Sequence, residues 1–147
     1  MIVVESLGRI NYGPQTGAHK GILGRVLVNG RRLVHGWTHR ALPLDAPQIS
    51  ADPATDTDGI AVASVQVETP ADSWLAFPGG IKGMVWLNGF LLGRYWARGP
   101  QVTLYAPAPL WNAAANEIVV LDTDGLPSAV ELREVPEYGP VEEFIGS

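Results

Sequence analysis

The residues best suited to chemistry in this 147-residue chain are aromatic and polar groups lying close to turn signals. Trp37, Tyr95, Trp96 and Trp111 could each present a flat ring, and Arg94 and Gln101 add hydrogen-bonding groups beside two of them. Pyranose sugars stack an apolar face on such rings while polar side chains take their hydroxyls, so carbohydrate binding is the activity these types suggest. In general, though, an Arg-Tyr-Trp run packs a hairpin onto its sheet or docks a neighbouring domain more often than it holds sugar. Trp74 and Trp86 sit in apolar runs and are expected in the core.

Other chemistries have weaker footing. With three His, no Cys and no G-x-S-x-G elbow, nucleophilic acyl transfer has no visible machinery. His35 and His39 are four apart, but Gly36 and Trp37 between them disfavour a helix. On a strand they would stand about 13 Å apart, too far for one zinc. Asp-Thr-Asp-Gly occurs at 56–59 and at 122–125, and Glu131 falls where a calcium loop would place its last ligand. Val120 occupies the first ligand position, and Pro127 and strand-like flanks argue against an EF-hand, so Asp122, Asp124 and Glu131 are weak calcium candidates and acidic turns the commoner meaning. No other cofactor is expected.

The elements that must hold these groups are strands. Residues 84–87 suit a buried strand, and Asn88-Gly89 is the dipeptide of a two-residue hairpin turn. Residues 90–96 return as its partner, with Gly93 permitting a bend, and Gly99-Pro100 punctuates before a further strand at 102–106. VLVNGRRL, carrying Asn29-Gly30, repeats the plan of VWLNGFLL, one hairpin solution used twice. Residues 1–5, 60–68, 74–77, 117–122 and 129–135 also read as strand, 109–114 as at most a turn of helix, and 46–59 as a flexible loop. About eight or more short strands between turn signals predict an all-β sandwich with little helix. The length suits one domain over 1–147.

Forty-six per cent apolar and 17% charged residues place the chain among ordinary soluble proteins. A net charge of −5 gives no reason to expect nucleic acid or an anionic membrane as partner. Neither a spanning segment nor a secretory leader is expected. Met1 running straight into strand-like residues fits a piece of a longer protein as well as a short gene.

The run K-G-x-V-W-x-N-G-F-x-L-G-R-Y-W-x-x-G-P-Q-x-T-L-Y-x-P at 82–107 resembles the C-terminal β-sandwich region of the family 35 glycoside hydrolases, the β-galactosidases. The resemblance extends to ESLGRINYG at 5–13, Lys20-Gly21, Gly36-Trp37, LPLD at 42–45 and NEIVVL at 116–121, and so covers nearly the whole chain. It departs at Gly80-Ile81, where many members have an aromatic, and at Ala18, where an acid is common. What the resemblance implies is a galactose-binding-like jelly roll without catalytic residues of its own. A retaining glycosidase needs two carboxylates about 5 Å apart, and in this family they belong to a TIM barrel of about 250 residues that 147 cannot contain. The expected partner is that barrel, which the domain would brace, together with galactosides or galactan. The alternatives are an independent carbohydrate-binding, lectin-like module or a pure interaction domain. The compartment is left open, since members of the family are found outside cells, in lysosomes and in bacterial cytoplasm.

Overall fold

A computed structural model describes residues 2–5, 8, 10–41, 43–45 and 59–139. Nine strands and a single 3-10 turn, Ala108–Leu110, make up its regular structure among those residues, as the dense Pro and Gly punctuation requires. The strands are β1 (Leu27–Val28), β2 (Arg32–Leu33), β3 (Ile60–Gln66), β4 (Ser73–Ala76), β5 (Lys82–Leu87), β6 (Phe90–Trp96), β7 (Leu104–Ala106), β8 (Ala115–Asp122) and β9 (Glu131–Arg133). All pairings are antiparallel, with orders β3-β8-β5-β6 and β7-β4-β9 in the two larger sheets and a separate β1-β2 pair. The chain is all-β, as its periodicity predicts.

The chain forms two compact units, 1–41 and 42–147. The physical reason is visible in strand pairing: β1 and β2 pair with each other and lend no strand to the larger sheets among the described residues. Of the strand expected at 1–5, residues 2–5 have no ladder partner among the described residues, and the expected strands at 102–106 and 129–135 shorten to β7 and β9. The loop expected at 46–59 lies outside the described residues except for Gly59, which is in a turn.

The core of the second unit lies between its two sheets. Val85, Leu87, Tyr95, Ile118 and Val120 from the four-stranded sheet meet Leu75, Leu104 and Ala106 from the three-stranded one, with Phe77 and Trp111 completing the cluster. Alternation along each strand then fixes the opposite face. Trp86 points outward from β5, yet is only 2% exposed, its indole N–H donating to the Leu44 carbonyl at 3.0 Å. Trp74, expected in the core, is instead half-buried on the outer side of β4, where it meets Tyr105 at 5.5 Å, because Leu75 takes the inward position.

The two Asn-Gly turns share left-handed backbones but differ in register. Asn88 (φ 49°) and Gly89 (φ 81°) form a two-residue loop, since Leu87 pairs with Phe90. Asn29 (φ 51°) and Gly30 (φ 68°) also turn left-handed, but Val28 pairs with Arg32, so Arg31 joins the loop. Asn88 differs in having neighbours to bond. Its side chain donates to the Leu110 carbonyl and to Asn116 Oδ1, and its own Oδ1 accepts from the Glu117 N–H.

Candidate functional site

Strand β6 is an edge strand, and its last residues carry the only sequence-predicted site groups brought together among the described residues. Lys82 pairs with Trp96 and Met84 with Arg94, so these four side chains share the outer face of the four-stranded sheet. A bulge upstream sets this phase. Val85 pairs with Gly93 but Trp86 pairs with Leu91, which leaves Leu92 unpaired and packed against the core. Gly93 takes φ 132° there, a backbone state that side chains other than glycine's rarely adopt.

The Arg94 guanidinium carbon lies 5.1 Å from the centre of the Trp96 ring, a cation–π contact worth about 0.5–2 kcal/mol depending on hydration. One terminal nitrogen, Arg94 Nη1, is shut off from water and has no hydrogen-bond partner. The turn after β6 is tied back tightly: Ala97 N–H donates to Ile81 O at 2.8 Å, Gly99 N–H to Trp96 O at 2.8 Å, and Trp96 N–H to Gln101 O at 3.1 Å. Gly99-Pro100 is a cis peptide. Gln101 is therefore fixed by its backbone beside Trp96, with its residue exposed.

The other predicted groups go elsewhere. Tyr95 points inward, 2% exposed, and stacks on Phe77 with centroids 4.3 Å apart. It cannot serve as a surface platform, because strand alternation gives it the opposite face from Arg94 and Trp96. Trp111 is 5% exposed and bonds the Ala106 carbonyl within the core, so it too is removed from the surface set. Trp37 is exposed but belongs to the first unit, where its N–H reaches Val34 O.

The calcium candidates are each engaged by other partners. Asp122 is buried, and both of its oxygens face donors: Oδ2 accepts from Tyr95 OH at 2.6 Å and from the Ile81 and Lys82 N–H groups at 2.9 Å, and Oδ1 from the Asp124 N–H at 2.8 Å and the Gly125 N–H at 2.9 Å. A carboxylate so engaged has no lone pair to offer a cation. Asp124 lies 3.6 Å from Lys82, and Glu131 pairs with Arg133 at 3.0 Å. No cluster of three metal-ligating side chains occurs among the described residues.

Asp122 is the residue that sequence reading undervalued. Burial alone would raise its carboxyl pKa, but the Tyr95 hydroxyl and the backbone donors outweigh that and hold it below the ordinary value. Burial, and then the hydrogen bond to Asp122 and its charge, push the Tyr95 phenol well above its usual range. Two glycines make room for this ring. A Cβ on Gly80 would lie 2.6 Å from the Tyr95 hydroxyl oxygen, and one on Gly83 2.6 Å from Leu121 O and 2.7 Å from Tyr95 Cε1. The spacing Gly80-x-x-Gly83 leading into a strand, with an Asp closing a later strand, was the available signal.

Comparison with known proteins agrees with this architecture. Residues 1–44 match the family model described as the first all-beta domain of beta-galactosidase, and residues 44–116 the one described as its galactose-binding domain. The join lies near the division between the two structural units. The chain is 33% identical to a beta-galactosidase of Macaca fascicularis over 91% of its length, 32% to the human beta-galactosidase-1-like protein 2 over 94%, and 31% to beta-galactosidase 1 of Dictyostelium discoideum over 83%. It spans 23%, 23% and 20% of those proteins respectively. The chain belongs to the β-galactosidase family, as the part of it that comprises the first all-beta and galactose-binding domains.

Proposed function

We propose that the chain is a non-catalytic accessory part of a β-galactosidase, bracing a catalytic barrel and holding a galactose-containing glycan at the corner formed by Arg94, Trp96 and Gln101. The observation that carries the reading is the proximity of a half-buried indole, a guanidinium and an exposed glutamine at one sheet edge, in a chain that matches a galactose-binding domain. The catalytic carboxylates would be supplied by the rest of a longer protein, in keeping with the chain spanning under a quarter of the relatives compared. The test is titration of the purified chain with galactose, lactose and a galactan, followed by tryptophan fluorescence and heat. Saturable binding lost in Trp96→Ala and kept in Trp86→Phe is expected. Silence up to tens of millimolar from a folded protein would leave bracing as the sole role. Galactosidase turnover by this chain, abolished by one carboxylate substitution, would refute the non-catalytic assignment.

A further inference from the structure

Resting on the reading that this corner holds sugar, we infer that its preferred ligand is an acidic sugar, a hexuronate whose ring lies by Trp96 and whose carboxylate is taken by Arg94. Charge distribution is the first support. Residues 42–147 contain fourteen Asp and Glu but only four Lys and Arg. Three of those four, Lys82, Arg94 and Arg98, fall on the paired ends of β5 and β6 or in the turn that follows. An acid-rich unit disfavours anions over much of its surface, so a cationic corner on it is where an anion gains.

The second support is the state of Arg94 itself. No ion pair or side-chain hydrogen bond engages Arg94 among the described residues; its Nη1 is closed to water, but the residue is only half-buried, so a ligand would meet the open edge of the guanidinium. Lys82 is already held by Asp124 at 3.6 Å and contributes field more than contact. A planar guanidinium fits a carboxylate through two parallel hydrogen bonds, which a neutral galactose hydroxyl cannot match. The guanidinium already occupies one side of the Trp96 indole. A sugar ring seated at the indole would therefore carry its carboxylate toward Arg94 and its hydroxyls toward Gln101.

The experiment compares D-galactose with D-galacturonic acid on the purified full chain, by tryptophan fluorescence and calorimetry at low and moderate salt. Galacturonate should bind roughly tenfold tighter than galactose, as a charge-assisted pair in place of a neutral one implies, and the advantage should shrink with salt. Arg94→Gln should abolish the preference, Arg94→Lys should keep part of it, and Arg133→Gln should leave it unchanged. If Arg94→Gln does not fold, the wild-type ratio and the Arg94→Lys variant decide. Equal binding of the two sugars, or a preference that survives Arg94→Gln, overturns the acidic-sugar inference while leaving the sugar-binding reading standing. Silence with both sugars overturns the two together.

Discussion

Replacing Asp122 by Asn changes one atom's identity and should nevertheless remove much of the stability of the second unit. In the wild type three donors converge on Oδ2 and two on Oδ1. An amide must put its NH2 at one of those sites. The least costly choice turns it toward Asp124 and Gly125, whose N–H groups then face another donor and lose their acceptor. The remaining oxygen still meets Tyr95, Ile81 and Lys82, but as a neutral acceptor. Hydrogen bonds to a charged group contribute about 1.5–3 kcal/mol and neutral ones about 0.5–1.5. Two lost and three weakened bonds, partly relieved by relaxation, give a loss of about 4 kcal/mol. Against the roughly 5–15 kcal/mol of a typical domain that is a large fraction, read as a lower urea midpoint at unchanged slope and a melting temperature down by roughly 15 °C. Tyr95→Phe removes a single donor, keeps the stack on Phe77 and leaves four N–H groups on the carboxylate, so about 1.5–2 kcal/mol is expected. A loss under about 1 kcal/mol for Asp122→Asn would refute the account of this carboxylate as a clamp.

The same carboxylate sets an acid limit: its folded pKa lies below the ordinary value of 3.8, so its stabilisation is complete above that value and is lost as pH falls through the folded one. Urea midpoints measured between neutral pH and pH 2 should show this loss in the wild type and lack that component in Asp122→Asn. Gly83→Ala should cost more than about 3 kcal/mol, because its methyl meets the backbone oxygen of Leu121 as well as the Tyr95 ring, and a strand cannot move aside as a flexible side chain would; a thermal melt checks it. Asn88→Gly preserves the left-handed turn and removes only the side-chain bonds to Leu110, Asn116 and Glu117, so about 1–2 kcal/mol is expected, seen in a denaturant titration. Asn29→Gly, at the turn of the first unit, should change stability by under about 0.5 kcal/mol.

Strands and turns were legible in the sequence because their causes are local. Strand-forming runs at 60–68 and 102–106 and the Asn-Gly dipeptides act over a few residues, and they place β3, β7 and the left-handed turns, though β3 and β7 come out shorter and the two turns differ in register. Side-chain destinations were less legible. Tyr95 and Trp96 are neighbours of similar chemistry, and only the phase of the strand, set by the Leu92 bulge and by which face meets the second sheet, sends one to the core and the other outward. Trp111 follows the 3-10 turn and is drawn inward by the Ala106 carbonyl. Asp122 looked like part of an acidic turn, because the donors that define it come from residues 81, 82 and 95, distant in the chain.

The place of β8 in the sheet has a consequence for how the protein is made. It lies between β3 and β5 and is the last strand of that sheet in chain order, and its partners are remote: Asn116 reaches Val65 across 51 residues and Asp122 reaches Ile81 across 41. The β5-β6 hairpin can close within about 1–10 μs of leaving the ribosome, whereas β3 and β5 must wait for β8 with unpaired edges toward the strand that is still missing. During synthesis the nascent chain thus carries two adhesive strand edges and an unfilled socket for the Asp122 carboxylate. Until residues 115–122 emerge, the sheet lacks one of its inner strands, the state in which chaperone capture or aggregation competes with folding.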